Sequence, residues 1–138
     1  MLPARIIPFT ERSERNSLVP PQRQTVVLIG RDAELLGLRA KLISSAGYVV
    51  HFMTPDHARA EVRKARPSQV WVFCHTLEFS ELALLAVAIR SSAPDDKLLR
   101  LTGLNDTEQV PGLFDEMLEP VMGVDDLLRA VGHLAKRA

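Results

Sequence analysis

Cys74 and His75 are the residues best suited to catalysis, because a thiol beside an imidazole can act as a nucleophile with its general base. They follow an apolar run that ends at Phe73, and doubly wound α/β folds place ligands at the carboxyl ends of such strands. Neighbouring residues at a strand end tend to point in opposite directions, and the sequence offers no third group to orient the imidazole. We therefore expect a small buried thiol beside a loop histidine.

Arg31 and Thr102 also follow apolar runs, and a guanidinium with a hydroxyl could hold an anion or a nucleotide phosphate. With Cys74 and His75 they define a crevice at the carboxyl ends of the strands. A small-ligand-binding, anion-binding or enzymatic domain that uses this crevice is the alternative to the function favoured below.

No metal or cofactor is predicted. Gly30 and Gly37 do not make a phosphate-binding loop, because the dinucleotide fingerprint needs three glycines between strand and helix. The four histidines lack the spacing typical of zinc ligands; they are His51, His57, His75 and His133.

The elements that must position these residues begin at Thr25, where short apolar runs start to alternate with segments of helical period. This alternation is typical of βαβ units and a parallel sheet. Five strands are predicted, over residues 26–29, 48–53, 69–74, 98–102 and 116–118.

Two helices have recognisable starts and ends. Asp32 can cap a helix that Gly47 terminates. Thr54 followed by Pro55 begins a second helix, which we expect to extend to Arg66. On the first helix, the apolar stripe predicted to face the sheet consists of Leu35, Leu38, Leu42 and Ala46.

Three further helical segments complete the pattern. A strongly apolar helix is predicted over 81–90 and a closing helix over 125–136. Residues 105–112 leave room for a short helix or turn only, because Pro111 and Gly112 break it.

The order of these elements, together with the closing segment from Gly112 to Pro120, resembles the receiver domain of response regulators over residues 25–137. The resemblance implies a doubly wound, flavodoxin-like (CheY-like) α/β fold with five parallel strands in the order 2-1-3-4-5. It also implies a place in two-component signal transduction.

The active-site positions of a receiver carry other residue types here. The resemblance places Gly30 and Arg31 where a receiver has the two acids that hold Mg²⁺, and Phe73, or Cys74 if the count slips by one, at the phosphoacceptor aspartate. The switch threonine is retained as Thr102. The conserved lysine and the proline after it correspond to Glu119 and Pro120.

These substitutions remove phosphotransfer chemistry. Without carboxylates at 30 and 31, a hard oxygen-seeking metal has no ligands. Neither Phe73 nor Cys74 can form an acyl phosphate, and Glu119 would repel the dianion that a lysine should hold. The segment from Thr102 to Glu119 is also shorter than in a typical receiver, which affects the fourth helix and the output surface that the family uses.

The helix over 81–90 is apolar almost all round. Its sheet-facing side is predicted to consist of Leu82, Leu85, Ala86 and Ile89. Leu84 and Val87 lie on the opposite side, where they form either an interface with a partner or second copy, or a surface covered by a shortened neighbouring segment. Both explanations stay open on sequence grounds.

Composition limits the partners. With 17 basic and 17 acidic residues, the net charge is zero, so there is no general attraction for nucleic acid or anionic membrane. A basic cluster on the second helix is predicted to be a solvated face; it comprises Arg59, Arg63, Lys64 and Arg66.

No apolar run approaches the roughly 20 residues of a membrane helix. A single cysteine, Cys74, fits a reducing cytoplasm.

Residues 1–24 contain four prolines and a polar stretch, so they are predicted to be a flexible N-terminal arm ahead of a domain at 25–138. Taken together, the sequence favours a phosphorylation-independent, receiver-like (pseudo-receiver) module that is not an enzyme. We expect it to act through protein-protein contact with a histidine kinase, a regulator or a scaffold, with a homodimer as a further option.

Overall fold

The computed structural model describes residues 24–64, 66–103, 112–119 and 123–137. They form a five-stranded sheet in which every paired strand is parallel, in the order β2-β1-β3-β4-β5. The strands are β1 (Thr25–Ile29), β2 (Val49–Met53), β3 (Val70–Phe73), β4 (Lys97–Leu101) and β5 (Glu116–Leu118). The predicted strand order and fold class are confirmed.

Four helices lie in the described part of the chain: α1 (Ala33–Ser45), α2 (Pro55–Val62), α3 (Phe79–Ser92) and α4 (Val124–Arg137). They cover both faces of the sheet. On one face α1 and α4 pack against alternate residues of β1, β3 and β4, and on the other face α2 and α3 pack against the residues between them. This two-sided burial explains why β1 and β3 are continuous apolar runs.

Local signals set the ends of α1 as the sequence predicts. Asp32 Oδ1 accepts a hydrogen bond from Leu35 N at 3.1 Å, which satisfies one free amide of the first turn. Gly47 follows the helix with φ of +103°, a conformation that a Cβ would disfavour.

The predicted sheet-facing stripe of α1 is wrong. The side chains of α1 buried against the sheet are Leu36, Ala40 and Ile43. The predicted stripe lies roughly a third of a turn further round the helix. Within it, Leu38 is 57% exposed and Leu42 36% exposed. Leucines occupy two faces of α1, and only one of these faces can oppose the sheet.

The second helix ends at Val62, four residues earlier than predicted. Arg66 lies outside the helix and precedes Pro67, a position at which helical backbone is disfavoured. Its guanidinium bonds Asp96 Oδ2 at 3.0 Å and stacks over the ring of Trp71. Arg66 is therefore part of a buried network, and the prediction that it belongs to a solvated basic face is wrong.

Several predictions fall outside the described residues. These are the N-terminal arm over 1–23, most of the short helix or turn at 105–112, and Pro120.

Candidate functional site

The carboxyl end of β1 is tightly packed at Gly30. A Cβ at this position would lie 3.0 Å from Thr76 Oγ1, 3.1 Å from Leu36 Cδ2 and 3.2 Å from Cys74 Cβ. Gly30 N also donates to the carbonyl of Met53 at 3.2 Å. An acidic side chain at residue 30 would therefore require its neighbours to move.

Arg31, the next residue, extends away from this packed point. Its backbone N donates to Thr76 Oγ1 at 3.0 Å, and its guanidinium forms a two-pronged ion pair with Glu81 in the first turn of α3. The hydrogen bond from Arg31 lowers the pKa of Glu81 and raises the pKa of Arg31, despite the opposing effect of burial. A cation and its counter-ion therefore occupy the end of β1.

Phe73 ends β3, and its side chain is fully buried. It pairs with Ile29 on one side and Arg100 on the other. Its ring meets that of Phe114 edge-on, with centroids 5.4 Å apart and planes at 74°. Phe73 thus belongs to the core between the sheet and α3, as expected for a central strand.

Cys74 and His75 separate as the sequence predicts. Cys74 is 1% exposed and packs on the α1 and α4 side, whereas His75 is exposed. Burial raises the pKa of the Cys74 thiol, and the nearby guanidinium of Arg39 offsets only part of this effect. The thiol therefore stays protonated near neutral pH, which is unsuitable for a nucleophile.

Thr102 is held by the neighbouring strand. Its backbone N and its Oγ1 both donate to the carbonyl oxygen of Leu118, at 2.9 and 3.0 Å. Glu119 follows Leu118 and is exposed. Thr102 and Glu119 therefore lie at the same end of the sheet, on adjacent strands.

A cavity of about 560 Å³ opens at this end of the sheet, between α1 and α4. Of the four residues predicted to form a strand-end crevice, His75 and Thr102 line it, whereas Arg31 and Cys74 do not. Its walls are mainly leucine and valine from the two helices and from the ends of β4 and β5; these are Leu35, Leu38, Leu42, Leu101, Leu118, Val124 and Leu127. We call this space the α1–α4 cavity.

Arg39 is the charged residue of the cavity that the sequence did not indicate. It follows Leu38 on α1, and its position between the two apolar faces of the helix would have been apparent from a helical wheel with the correct sheet-facing side. Its Nη2 lies 3.5 Å from His75 Nδ1.

The outer face of α3 is apolar and open. Leu84 is 67% exposed and Val87 54% exposed, whereas the four residues predicted to face the sheet are buried. In the last turn of α3, Arg90 donates to the carbonyl of Leu113 and pairs with the carboxylate of Asp115, which fixes the segment before β5. This segment leaves Leu84 and Val87 uncovered.

No three His, Cys, Asp or Glu side chains within 24–64, 66–103, 112–119 and 123–137 are grouped so as to hold a metal ion. Over the same ranges, no helix has both the length and the apolar character needed to cross a membrane.

Several solved structures with the same fold are receiver domains. A response regulator receiver protein from Sinorhizobium medicae is 19% identical, with a TM-score of 0.71, over 85% of this chain and 98% of that chain. A response regulator receiver domain protein from Clostridium thermocellum is 16% identical, with a TM-score of 0.73, over 83% and 95%. An adenylate cyclase from Rhodopirellula baltica is 20% identical, with a TM-score of 0.74, over 84% and 90%.

No protein-family model matches the sequence, and the search of curated proteins found no match. The structural likeness is low in sequence identity but covers nearly the whole length of the receiver domains compared. The chain has the CheY-like fold of response-regulator receiver domains.

Proposed function

We propose that this chain is a phosphorylation-independent, receiver-like signalling module that acts by protein contact and not by catalysis. The main support for the proposal is that packed side chains and an ion pair occupy the carboxyl ends of β1 and β3. Where the resemblance expects metal-binding acids and a phosphoacceptor, there are a packed glycine, an ion-paired arginine and a buried phenylalanine, namely Gly30, Arg31 and Phe73.

Electrostatics support the same proposal. A receiver's metal site needs carboxylates that are free to bind a cation. Glu81, whose carboxylate reaches the end of β1, is instead engaged by Arg31, and it also accepts a hydrogen bond from Glu78 N at the start of α3. Glu119 adds a negative charge at the end of β5, where a phosphoryl group would need a positive one.

The contact surface that we propose is the outer face of α3 around Leu84 and Val87. Two large apolar side chains that are more than half exposed, three residues apart on one helix, provide an apolar anchor for a partner. The partner would be a histidine kinase, a regulator or a scaffold in the cytoplasm, and the same face offers a contact for a homodimer.

Calorimetric titration with beryllofluoride and Mg²⁺, a mimic of the phosphoryl group, tests the loss of the phosphate site. We expect no heat of binding, because Gly30, Arg31 and Phe73 occupy the positions of the metal ligands and the acceptor. A receiver domain with an intact acidic site, titrated under the same conditions, is the control. Saturable, Mg²⁺-dependent binding would contradict the proposal.

Small-ligand binding is a second candidate function, favoured by one observation. The α1–α4 cavity has the volume of a small-molecule site, and its walls are apolar with a few polar groups. It differs from the crevice proposed on sequence grounds, because Arg31 and Cys74 do not line it. The two candidate functions use different surfaces and can coexist.

A further inference from the structure

The α1–α4 cavity results from the second apolar face of α1. Leu35, Leu38 and Leu42 do not face the sheet and instead line the cavity, with Val124 and Leu127 of α4 contributing on the other side. Leu38 and Val124 are about half exposed, at 57% and 48%. A ligand that removes this apolar surface from water lowers the free energy of the system.

One cationic side chain lies among these apolar walls. The Nη1 atom of Arg39 is buried and has no hydrogen-bond partner in the part of the chain that the structure describes. Its Nη2 lies 3.5 Å from His75 Nδ1, and the guanidinium also contacts the neutral Cys74 thiol. Among the described residues, no carboxylate forms an ion pair with Arg39, in contrast to Arg31, Arg66, Arg90 and Arg129.

A guanidinium that is partly removed from water without a counter-charge loses hydration, which a neutral thiol and an imidazole replace only in part. A carboxylate in the cavity would supply a charged acceptor for the part of the Arg39 guanidinium that lines it, because carboxylate oxygens match the geometry of guanidinium N–H groups. Glu119 lines another part of the same cavity. Its negative charge disfavours a second anionic group on a ligand, so a monoanion fits better than a phosphate dianion or a dicarboxylate.

We propose that the α1–α4 cavity binds a small amphipathic monocarboxylate. The hydrocarbon or aromatic body would lie against the leucines of α1 and the apolar residues of α4, and the carboxylate would bind Arg39. A volume of about 560 Å³ lies within the usual range of small-molecule sites, roughly 300 to 1,000 Å³. The proposal does not depend on the α3 contact, which lies on the opposite face of the sheet.

The first experiment is a calorimetric titration of the full chain with decanoate. Decanol and decylamine serve as probes with the same chain length but no charge or the opposite charge. We expect decanoate to bind about tenfold or more tightly than decanol, the ratio that one charge-assisted contact provides, and decylamine to bind most weakly. Equal binding of all three, or no binding of decanoate by the folded protein, would overturn the proposal.

Variants of two arginines locate the contact. Arg39→Gln should weaken decanoate about tenfold and leave decanol unchanged, whereas Arg129→Gln, on the outer part of α4, should change neither. Arg39→Lys keeps a positive charge and should retain part of the preference for decanoate. It can replace the glutamine variant in this test if that variant does not fold. Full decanoate affinity in a folded Arg39→Gln protein would contradict the assignment.

Leu38→Gln separates a ligand site from a protein interface. It should weaken decanoate and decanol alike, because it makes one wall of the cavity polar, and it should leave the molar mass measured by light scattering unchanged. The matched control is Phe52→Gln, an exposed apolar residue of β2 outside the cavity, which should change neither affinity nor molar mass. If Leu38→Gln instead changes the molar mass while decanoate affinity stays the same, the face is an interface between copies and the ligand proposal is wrong.

Discussion

Arg31 Nε donates to Glu81 Oε1 at 3.1 Å, and this contact connects the end of β1 with the first turn of α3. The pair is partly exposed, with the Arg31 side chain 50% and the Glu81 side chain 16% accessible. A positive side chain and a nearby carboxylate therefore neutralise each other at this end of the sheet.

The charge of Glu81 should make a pH-dependent contribution to stability. Its pKa is lowered in the folded protein by Arg31, so its stabilising effect is fully present above about pH 5 and is lost as the pH falls through the lowered value. Glu81→Gln keeps the hydrogen-bond acceptor for Glu78 N but removes the charge. The variant should melt below the wild type at pH 7 and converge with it in acid, as followed by circular dichroism.

The control for this pH series is Glu34→Gln, which removes an exposed carboxylate in the first turn of α1. Since Glu34 makes no ion pair among the described residues, its substitution tests the effect of losing one negative charge alone. A difference between Glu81→Gln and wild type that stays constant from pH 7 to pH 3 would contradict the role of the ion pair.

Gly30 should tolerate a side chain poorly. Gly30→Ala places a Cβ within 3.0 to 3.2 Å of three side-chain atoms, so we expect a loss of about 1 to 3 kcal/mol from overpacking. Gly37→Ala is the matched control, because its Cβ would meet nothing within 4 Å and it lies inside α1. That change should stabilise the protein by about 0.5 to 1 kcal/mol. Urea unfolding measures both, and a neutral Gly30→Ala would show that the packing at the end of β1 is loose.

Phe73 should behave as a core residue and not as the lining of an open pocket. Phe73→Ala should cost about 3 to 5 kcal/mol through lost burial and the cavity left beside Phe114. Phe52→Ala on the edge strand β2, where the ring is 50% exposed, should cost much less. Phe73→Asp, which would restore a phosphoacceptor, should prevent stable folding. A Phe73→Asp protein with a melting temperature close to that of wild type would contradict the core assignment.

A buried carboxylate anchors the opposite end of the sheet. Asp96 accepts hydrogen bonds from Gln69 N at 3.0 Å and Trp71 Nε1 at 2.7 Å, and it pairs with Arg66. Asp96→Ala leaves these donors without an acceptor, so we expect a loss of about 3 to 5 kcal/mol. The control Asp95→Ala changes the exposed neighbour and should have little effect. Equal unfolding free energies for the two variants would show that the network contributes nothing.

The exposed face of α3 can be tested by a double substitution. Replacing Leu84 and Val87 with Gln should leave the melting temperature nearly unchanged, since exposed positions usually contribute less than about 0.5 kcal/mol each. The same variant should lose self-association or binding to its partner, because apolar anchors carry much of the energy of an interface. Light scattering and a melting curve together decide the matter. A large fall in melting temperature with unchanged assembly would mean that the two residues only stabilise the monomer.

The sequence was sufficient for the fold because strand burial has a simple pattern. The fully buried runs of β1 and β3, the Asp32 cap and the Gly47 stop are local signals, and the structure confirms them. The side of α1 that faces the sheet is not a local property. Its leucines satisfy helical periodicity on two faces, and only the position of α4 determines which face remains open.

The residues of the site that follow strand ends were predictable from the sequence, whereas those on helices were not. Residues adjacent to strand ends, such as His75 and Thr102, follow from the strand boundaries. Arg39 and Glu81 could not be found in this way, because they lie on helices and reach the sheet end only through tertiary packing. Arg66 was misplaced for the same reason, since its partner Asp96 is 30 residues away in the sequence.

The most direct test of the central claim is intact-mass analysis after incubation of the full chain with acetyl phosphate and Mg²⁺. A receiver domain with an intact acidic site serves as the positive control in the same reaction. We predict that the mass of this protein stays unchanged while the control gains one phosphoryl group, because Gly30 and Arg31 replace the metal ligands, Phe73 replaces the acceptor and Glu119 replaces the positive countercharge. A gain of one phosphoryl group that depends on Mg²⁺ would contradict it.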